Sequence, residues 1–457
     1  IKNWWFNAQG FVARFKGNSG SEYKDVDVLT YKKQKYTDFQ VEFEVQQTFN
    51  RTGIIIGTEK GEFPIVSDNG ILKANGGIML FVEAEGVPNA MGDFTNGYTN
   101  MNQVRRRLTD LNLPGFVDED GNAATNVDNH TAHKVTIVVK NKELYLFVDG
   151  SDECSLYLML PKDYKGGYVS LFSSANKQFG IDKFEISETI TKAIPSKESL
   201  VTKNGNEVNI QFDAVVPNTT GLSTYYLSKL DDKGTVQATS FFDYWMVANG
   251  KMNRKSDRNS GSDVSDVSIL TYNEKKYTDF VATFEYQQTW GRLMFLFGSE
   301  NGKYPLYEKE GHFENGGVIL YPEADLGSGG GICALGNVKI ATEGYRPLYR
   351  ELSYAPEYFK KDVNGNAKMG TKYTMTVAVI NKHCSVYVEG FGLVAAFDLN
   401  DNYKGGYISL ASTQTEYQGF TYLNIQEVDT KNAIKAVNQN RDITVKTGTA
   451  LKNIDLP

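Results

Sequence analysis

Phe39-Gln40-Val41-Glu42-Phe43-Glu44-Val45-Gln46 alternates without exception: each odd position is apolar and each even position polar. Side chains of an extended strand point to opposite faces in turn, so this stretch predicts a strand with one buried and one solvated face. The pattern returns at Phe280, Ala282, Phe284 and Tyr286. Further on, Val135-Thr136-Ile137-Val138-Val139-Lys140 and Leu144-Tyr145-Leu146-Phe147-Val148 flank Asn141-Lys142-Glu143, which reads as a hairpin. Met375-Thr376-Val377-Ala378-Val379 and Ser385-Val386-Tyr387-Val388 repeat it around Asn381-Lys382. No stretch of helical period stands out. The expectation is an all-β chain in which pairs of sheets pack face to face and bury these alternating faces.

The chain is internally duplicated. Leu29-Thr30-Tyr31 returns as Leu270-Thr271-Tyr272, and Tyr36-Thr37-Asp38-Phe39 as Tyr277-Thr278-Asp279-Phe280, both at an offset of 241. Gln46-Gln47-Thr48-Phe49 returns as Gln287-Gln288-Thr289-Trp290, and Arg51 as Arg292. Asn75-Gly76-Gly77 matches Asn315-Gly316-Gly317, and Tyr164-Lys165-Gly166-Gly167-Tyr168 matches Tyr403-Lys404-Gly405-Gly406-Tyr407. Such a long, nearly constant offset indicates a duplicated domain, not a solenoid. The expected organisation is a first module over 1–188, a connector or extra strands over 189–240, a second module over 241–428, and a tail over 429–457. A chain of 457 residues has room for this, at roughly 100–200 residues per domain.

Composition narrows the function classes. A net charge of −7 offers no general attraction to nucleic acid or to an anionic membrane. The single basic cluster, Arg105-Arg106-Arg107, reads as a solvated or ion-paired stretch. No apolar run approaches the ~20 residues of a membrane span, so no membrane insertion is expected. Three cysteines, Cys154, Cys333 and Cys384, form no disulfide framework and no zinc spacing, although a Cys333–Cys384 pair stays open. Four scattered histidines leave little for His-based metal or triad chemistry. The 27 Tyr and 26 Phe suit strands, and equally a surface that presents rings to a ligand. The chain opens on Ile-Lys-Asn-Trp-Trp, which reads as an excised piece of a longer protein.

Several motifs together resemble the concanavalin A-like, laminin-G-like jelly-roll superfamily. They are the Tyr-Thr-Asp-Phe strand entry, the Asn-Gly-Gly turn before Ile78-Met79-Leu80-Phe81, the hairpin ending in Val148-Asp149-Gly150, and the Tyr-Lys-Gly-Gly-Tyr-Val-Ser-Leu strand. Within it the copies look most like family 66 carbohydrate-binding modules, which accompany bacterial fructan-degrading glycoside hydrolases and bind the fructose ends of levan. The resemblance implies two tandem antiparallel jelly-roll β-sandwiches. It also implies a poly- or oligosaccharide partner and a secreted or cell-surface location in a Gram-positive-type bacterium. Ile443-Thr444-Val445-Lys446-Thr447-Gly448-Thr449-Ala450-Leu451 resembles the first strand of a bacterial immunoglobulin-like domain. That implies a monomeric piece of a multimodular chain.

A sugar site needs planar hydrogen-bonding side chains and a ring to cover an apolar sugar face. The candidates in the first copy are Glu44, Gln46, Phe49, Arg51, Glu59 and Glu83; in the second they are Glu285, Gln287, Trp290, Arg292, Glu300 and Glu323. A carboxylate and an Arg fork can hold neighbouring hydroxyls while an amide shares one. The competing reading of each polar residue is a solvated outer strand face carrying cross-strand ion pairs. Trp290 reads equally as stacking platform or core. Residues 86–92 and 326–331 differ between the copies and are expected to rim the sites, so that one copy binds more strongly.

No cofactor is expected apart from calcium. Asp118 and Asp120, with Asp362 and Asn364, lie in Asp-x-Asp/Asn-Gly-Asn loops whose oxygens suit that ion, though an ordinary Asp/Asn-Gly turn has the same sequence. The chain is expected to bind rather than catalyse. The enzyme alternative is a jelly-roll glycoside hydrolase or lyase using Glu83 and Glu85, roughly 7 Å apart along one strand face. The third class is an adhesin or structural spacer.

Overall fold

The structure is a computed structural model. It describes residues 5–8, 11–14, 27–46, 52–62, 65–68, 71–74, 77–82, 88–92, 106–107, 132–160, 162, 164–173, 181–228, 234–248, 250–254, 266–287, 293–304, 316–323, 331–336, 371–401, 403–413 and 419–429. The chain divides into two compact units, Ile1–Glu198 and Ser199–Pro457. Each is an antiparallel jelly-roll β-sandwich, and no α-helix occurs among the described residues. No described helix is long and apolar enough to cross a membrane.

In the first unit the larger sheet orders its strands Trp5–Ala8, Phe11–Arg14, Ile181–Ser187, Phe39–Gln46, Ala132–Lys140, Glu143–Val148 and Leu156–Met159. The other sheet runs Arg106–Arg107, Pro88–Gly92, Ile78–Val82, Thr52–Thr58, Gly167–Ser173 and Asp27–Tyr36. The alternation of Phe39–Gln46 is realised as read: Phe39, Val41, Phe43 and Val45 are all buried. Pro88–Gly92, expected in a variable rim loop, is instead a strand paired with Ile78–Val82.

The second unit repeats the plan. Its larger sheet centres on Phe280–Gln287, flanked by Phe420–Glu427 and Lys372–Ile380, then His383–Val388 and Gly392–Asp398. The facing sheet holds Leu222–Ser228, Asp266–Tyr277, Gly406–Ser412, Leu293–Ser299, Gly316–Glu323 and Gly331–Gly336. Aromatic rings join the two layers: Phe284 stacks on Phe295 at 5.0 Å, and Phe280 meets Phe297 edge-on at 5.6 Å. Residues 201–211 also belong to this unit. Val201–Asn204 and Glu207–Gln211 extend the larger sheet beyond Phe420–Glu427, and Val208 and Ile210 enter its core.

The repeated motifs are the locks of this fold. Asn141 and Lys142, and likewise Asn381 and Lys382, have positive φ, the two-residue hairpin turn that matches strand twist. Asp38 accepts the Asn141 N–H at 3.0 Å, and Asp279 accepts that of Asn381 at 2.6 Å. Thr30 Oγ1 donates to Gly61 O (2.6 Å) and meets Ser170 Oγ (2.9 Å); Thr271 makes the same contacts with Gly302 O (2.8 Å) and Ser409 Oγ (2.7 Å). Gly166 and Gly405 also have positive φ, and a Cβ there would fall 2.3 and 2.4 Å from the carbonyl oxygens of Tyr36 and Tyr277. Shared folding needs therefore account for the strongest sequence matches between the copies.

Cys154 and Cys384 are buried free thiols, so the Cys333–Cys384 disulfide left open by the sequence is not formed. Burial pushes the Cys154 thiol up to about 11 and the Cys384 thiol higher still, which removes thiolate reactivity.

Candidate functional site

Strand direction brings together, at one end of each sandwich, the strand ends that most of the predicted residues belong to or adjoin in sequence. Phe39–Gln46 ends at Gln46, and the next strand begins at Thr52, which pairs with Val82 at the end of Ile78–Val82. Arg51 and Glu83 adjoin these paired residues in sequence. In the second unit Gln287 ends its strand, Leu293 begins the next, and Glu323 pairs with Gly331 at the end of Gly316–Glu323. Phe49, Arg51, Glu83, Trp290 and Arg292 lie outside the described residues, as do the side chains of Gln46 and Glu323. So do Glu85 and the calcium-loop candidates Asp118, Asp120, Asp362 and Asn364. Among the described residues no cluster of His, Cys, Asp and Glu could hold a metal ion.

Glu59 and Glu300 are placed apart from the others. They follow Thr58 and Ser299, at the far ends of strands that begin beside Arg51 and Arg292. Seven residues of strand put about 20 Å between the two ends. Both glutamates are exposed, in the turns held by Thr30 and Thr271.

Glu44 and Glu285 occupy the same place on the central strand, on its outward face. Lys183 Nζ lies 2.6 Å from Glu44 Oε1, and Lys372 Nζ lies 3.1 Å from Glu285 Oε1. Each carboxylate thus has a cross-strand cation, as the competing reading expects, yet keeps acceptor capacity because an ionised carboxylate offers about four lone-pair sites. Gln287 is half-buried beside Glu285, its backbone N–H bonded to Gly419 O at 3.0 Å.

A buried ion pair supports this end in the second unit. Arg254 and Asp266 are bonded to each other and are 0% and 1% exposed. Arg254 Nε also donates to Ser268 Oγ (2.9 Å) and Nη1 to Thr413 O (2.8 Å). Lys251–Arg254 belongs to the larger sheet, Asp266 and Ser268 to Asp266–Tyr277 of the facing one, and Thr413 directly follows its strand Gly406–Ser412, so the guanidinium ties both layers together. These hydrogen bonds help satisfy the buried cation, the condition under which burying it is tolerable. Sequence reading missed it, although a signal exists: Arg14 stands opposite Trp5 as Arg254 stands opposite Trp245, and Asp25 precedes Asp266 by the 241-residue offset.

No protein-family model matches the chain, and no curated protein matches it. Among solved structures it is similar to domains LG4-5 of the mouse laminin α1 chain, at 12% identity over 93% of this chain and 92% of that one, with a TM-score of 0.23. It is similar to the carbohydrate-binding module CBM66 from Bacillus subtilis at 12% identity, over 40% of this chain and 88% of that one, with a TM-score of 0.24. The metal-free Emp46p carbohydrate recognition domain gives 11% identity, 40% and 86% coverage, and 0.26. At identities of 11–12% and TM-scores no higher than 0.26, the fold is established by the sheets themselves, and no ligand follows from these likenesses.

Proposed function

We propose that the chain is a pair of non-catalytic carbohydrate-binding modules, that the ligand is a fructan such as levan or inulin, and that the pair serves a larger secreted bacterial glycoside hydrolase. The supporting observation is the doubled placement of acceptors: Glu44 in one unit and Glu285 with Gln287 in the other sit on the outward face of the same central strand. Duplication suits binding, because two weak sites on one chain gain avidity along a polymer. The fructan assignment rests on the sequence resemblance to family 66 modules. The immunoglobulin-like tail, which supports a multimodular parent, falls beyond residue 429 and outside the described residues.

Isothermal titration with levan, inulin and fructose, beside non-fructan polysaccharides, tests this reading. The expected result is saturable fructan binding without release of reducing sugar. Sugar release makes the chain a glycoside hydrolase, and silence toward every glycan makes it an adhesin or spacer.

A further inference from the structure

We propose that the outer face of the larger sheet in the second unit, beyond its Glu285 and Gln287 end, carries a neutral polysaccharide chain along its length, a role the first unit's equivalent face does not share. The inference rests on the reading of the protein as a carbohydrate binder and extends the acceptor site at Glu285 and Gln287 across the same face. Strand register sets Asn209, Asn424, Thr283, Thr376 and Tyr387 side by side in one row across five strands. All five are half-exposed and uncharged. At one strand spacing per step the row is about 19 Å long, enough for several sugar rings.

The row is already ordered by its own bonds. Asn424 Nδ2 donates to Asn209 Oδ1 and Glu207 Oε1, both at 2.6 Å, and the Thr283 and Thr376 hydroxyls meet at 3.0 Å. Hydroxyls and amides both donate and accept, so they match sugar hydroxyls without stripping water from a charge. Tyr387 supplies a ring at the end of the row. The chemistry selects against other occupants. The adjacent row holds Glu285, which engages the cation Lys372 of the row beyond it, and this leaves little for an anionic polymer. A protein partner would be expected to bury an apolar centre, and the exposed apolar residues nearby, Phe391 and Leu393, lie at the sheet edge.

The corresponding row of the first unit is Glu185, Glu42, Thr136 and Phe147. Glu42 is bridged by Lys134 at 2.8 Å, and Thr136 and Phe147 are only 4% and 1% exposed. Residues 190–197 lie over this face. Gln40 Oε1 accepts the N–H groups of Thr191 and Lys192, both at 2.9 Å, and Lys192 Nζ sits 4.9 Å from the centre of the Phe147 ring. The same sheet position is thus roofed in one copy and presented in the other.

The test uses the full chain, titrated with soluble levan and inulin. Thr376→Arg and Tyr387→Ala, each checked for an unchanged melting temperature, are expected to weaken polymer binding about tenfold or more. Lys134→Ala, in the first unit, is expected to leave it unchanged. Hydroxyl-radical footprinting of the unsubstituted chain needs no variant and is expected to show Tyr387 protected by levan. Binding that survives both substitutions, with Tyr387 unprotected, overturns this inference and leaves the carbohydrate reading standing. A chain that binds no glycan at all overturns both.

Discussion

The two units share their inner faces and differ on their outer ones. Inside, they are near copies: Thr30 and Thr271 make the same pair of contacts, Asp38 and Asp279 cap the same turn, and Gly166 and Gly405 meet the same carbonyl. Outside, both units keep an ion-paired glutamate, Glu44 and Glu285, but the first carries Glu42 and Lys134 beside a strap of chain where the second carries Thr283, Thr376 and Asn424. The pressure to close a sandwich acts on inward positions and turns, where a change costs packing or a buried hydrogen bond. Outward positions are released from that pressure, and there the copies have diverged. Similarity at inward positions and turns therefore marks folding, whereas the outward faces hold both the shared acceptors Glu44 and Glu285 and the differences that give specificity room to arise.

The largest difference between the units is expected at the buried ion pair. Arg254→Ala leaves Asp266 charged and uncompensated, so the second unit is expected to lose about 3–5 kcal/mol in denaturant unfolding while the first keeps its own transition. Arg14→Ala then reads whether the first unit uses the same device; an undiminished first transition would make the clamp private to the second.

Next come the glycines. Gly166→Ala and Gly405→Ala each place a Cβ against a carbonyl at positive φ and are expected to cost about 1–3 kcal/mol. Equal losses in the two units would sharpen the claim of shared locks, and a one-sided loss would break it.

A smaller effect separates the units by acid. In the first, burial pushes the Glu143 carboxyl up, but bonds from Lys197, Tyr145 and Tyr157 outweigh it and hold the carboxyl below its ordinary 4.5. The folded state thus favours the ionised form. That stabilisation is complete above the unfolded value near 4.5 and is lost as pH falls through the lower folded value. Tyr157→Phe is expected to cost about 1 kcal/mol at neutral pH and to shrink this acid-dependent share. The same position in the second unit is His383, bonded to Asp398 at 2.8 Å, so Tyr157→Phe should leave the second unit's acid profile untouched.

Smallest is the surface pair. Lys134→Ala removes the half-exposed bridge to Glu42 and is expected to change stability by less than about 1 kcal/mol, an effect that fades in high salt.

Much of the architecture was legible in the sequence. Period-two alternation named the inward residues of Phe39–Gln46 and Phe280–Gln287, because a strand has only two faces and burial selects one. The duplication followed from constant offsets, and the hairpins from Asn-Lys between apolar runs. The site was less legible, because alternation tells which side chains leave the core and not what awaits them outside. Glu59 and Glu300 looked like companions of Glu44 and Glu285, yet a strand that runs the length of the sandwich delivers them to the other end. Gln40 looked solvated and is 7% exposed, because residues 150 positions later fold back over it. Arg254 and Asp266 are buried, because two sheets close on them, and nothing local in their sequence announces it. The strands and their inward faces are written in neighbours a few residues apart, and the doubling in motifs that recur about 240 residues on. Which outward faces are roofed, which charges are buried and that Glu59 and Glu300 lie away from Glu44 and Glu285 depend instead on segments distant in sequence that meet through folding.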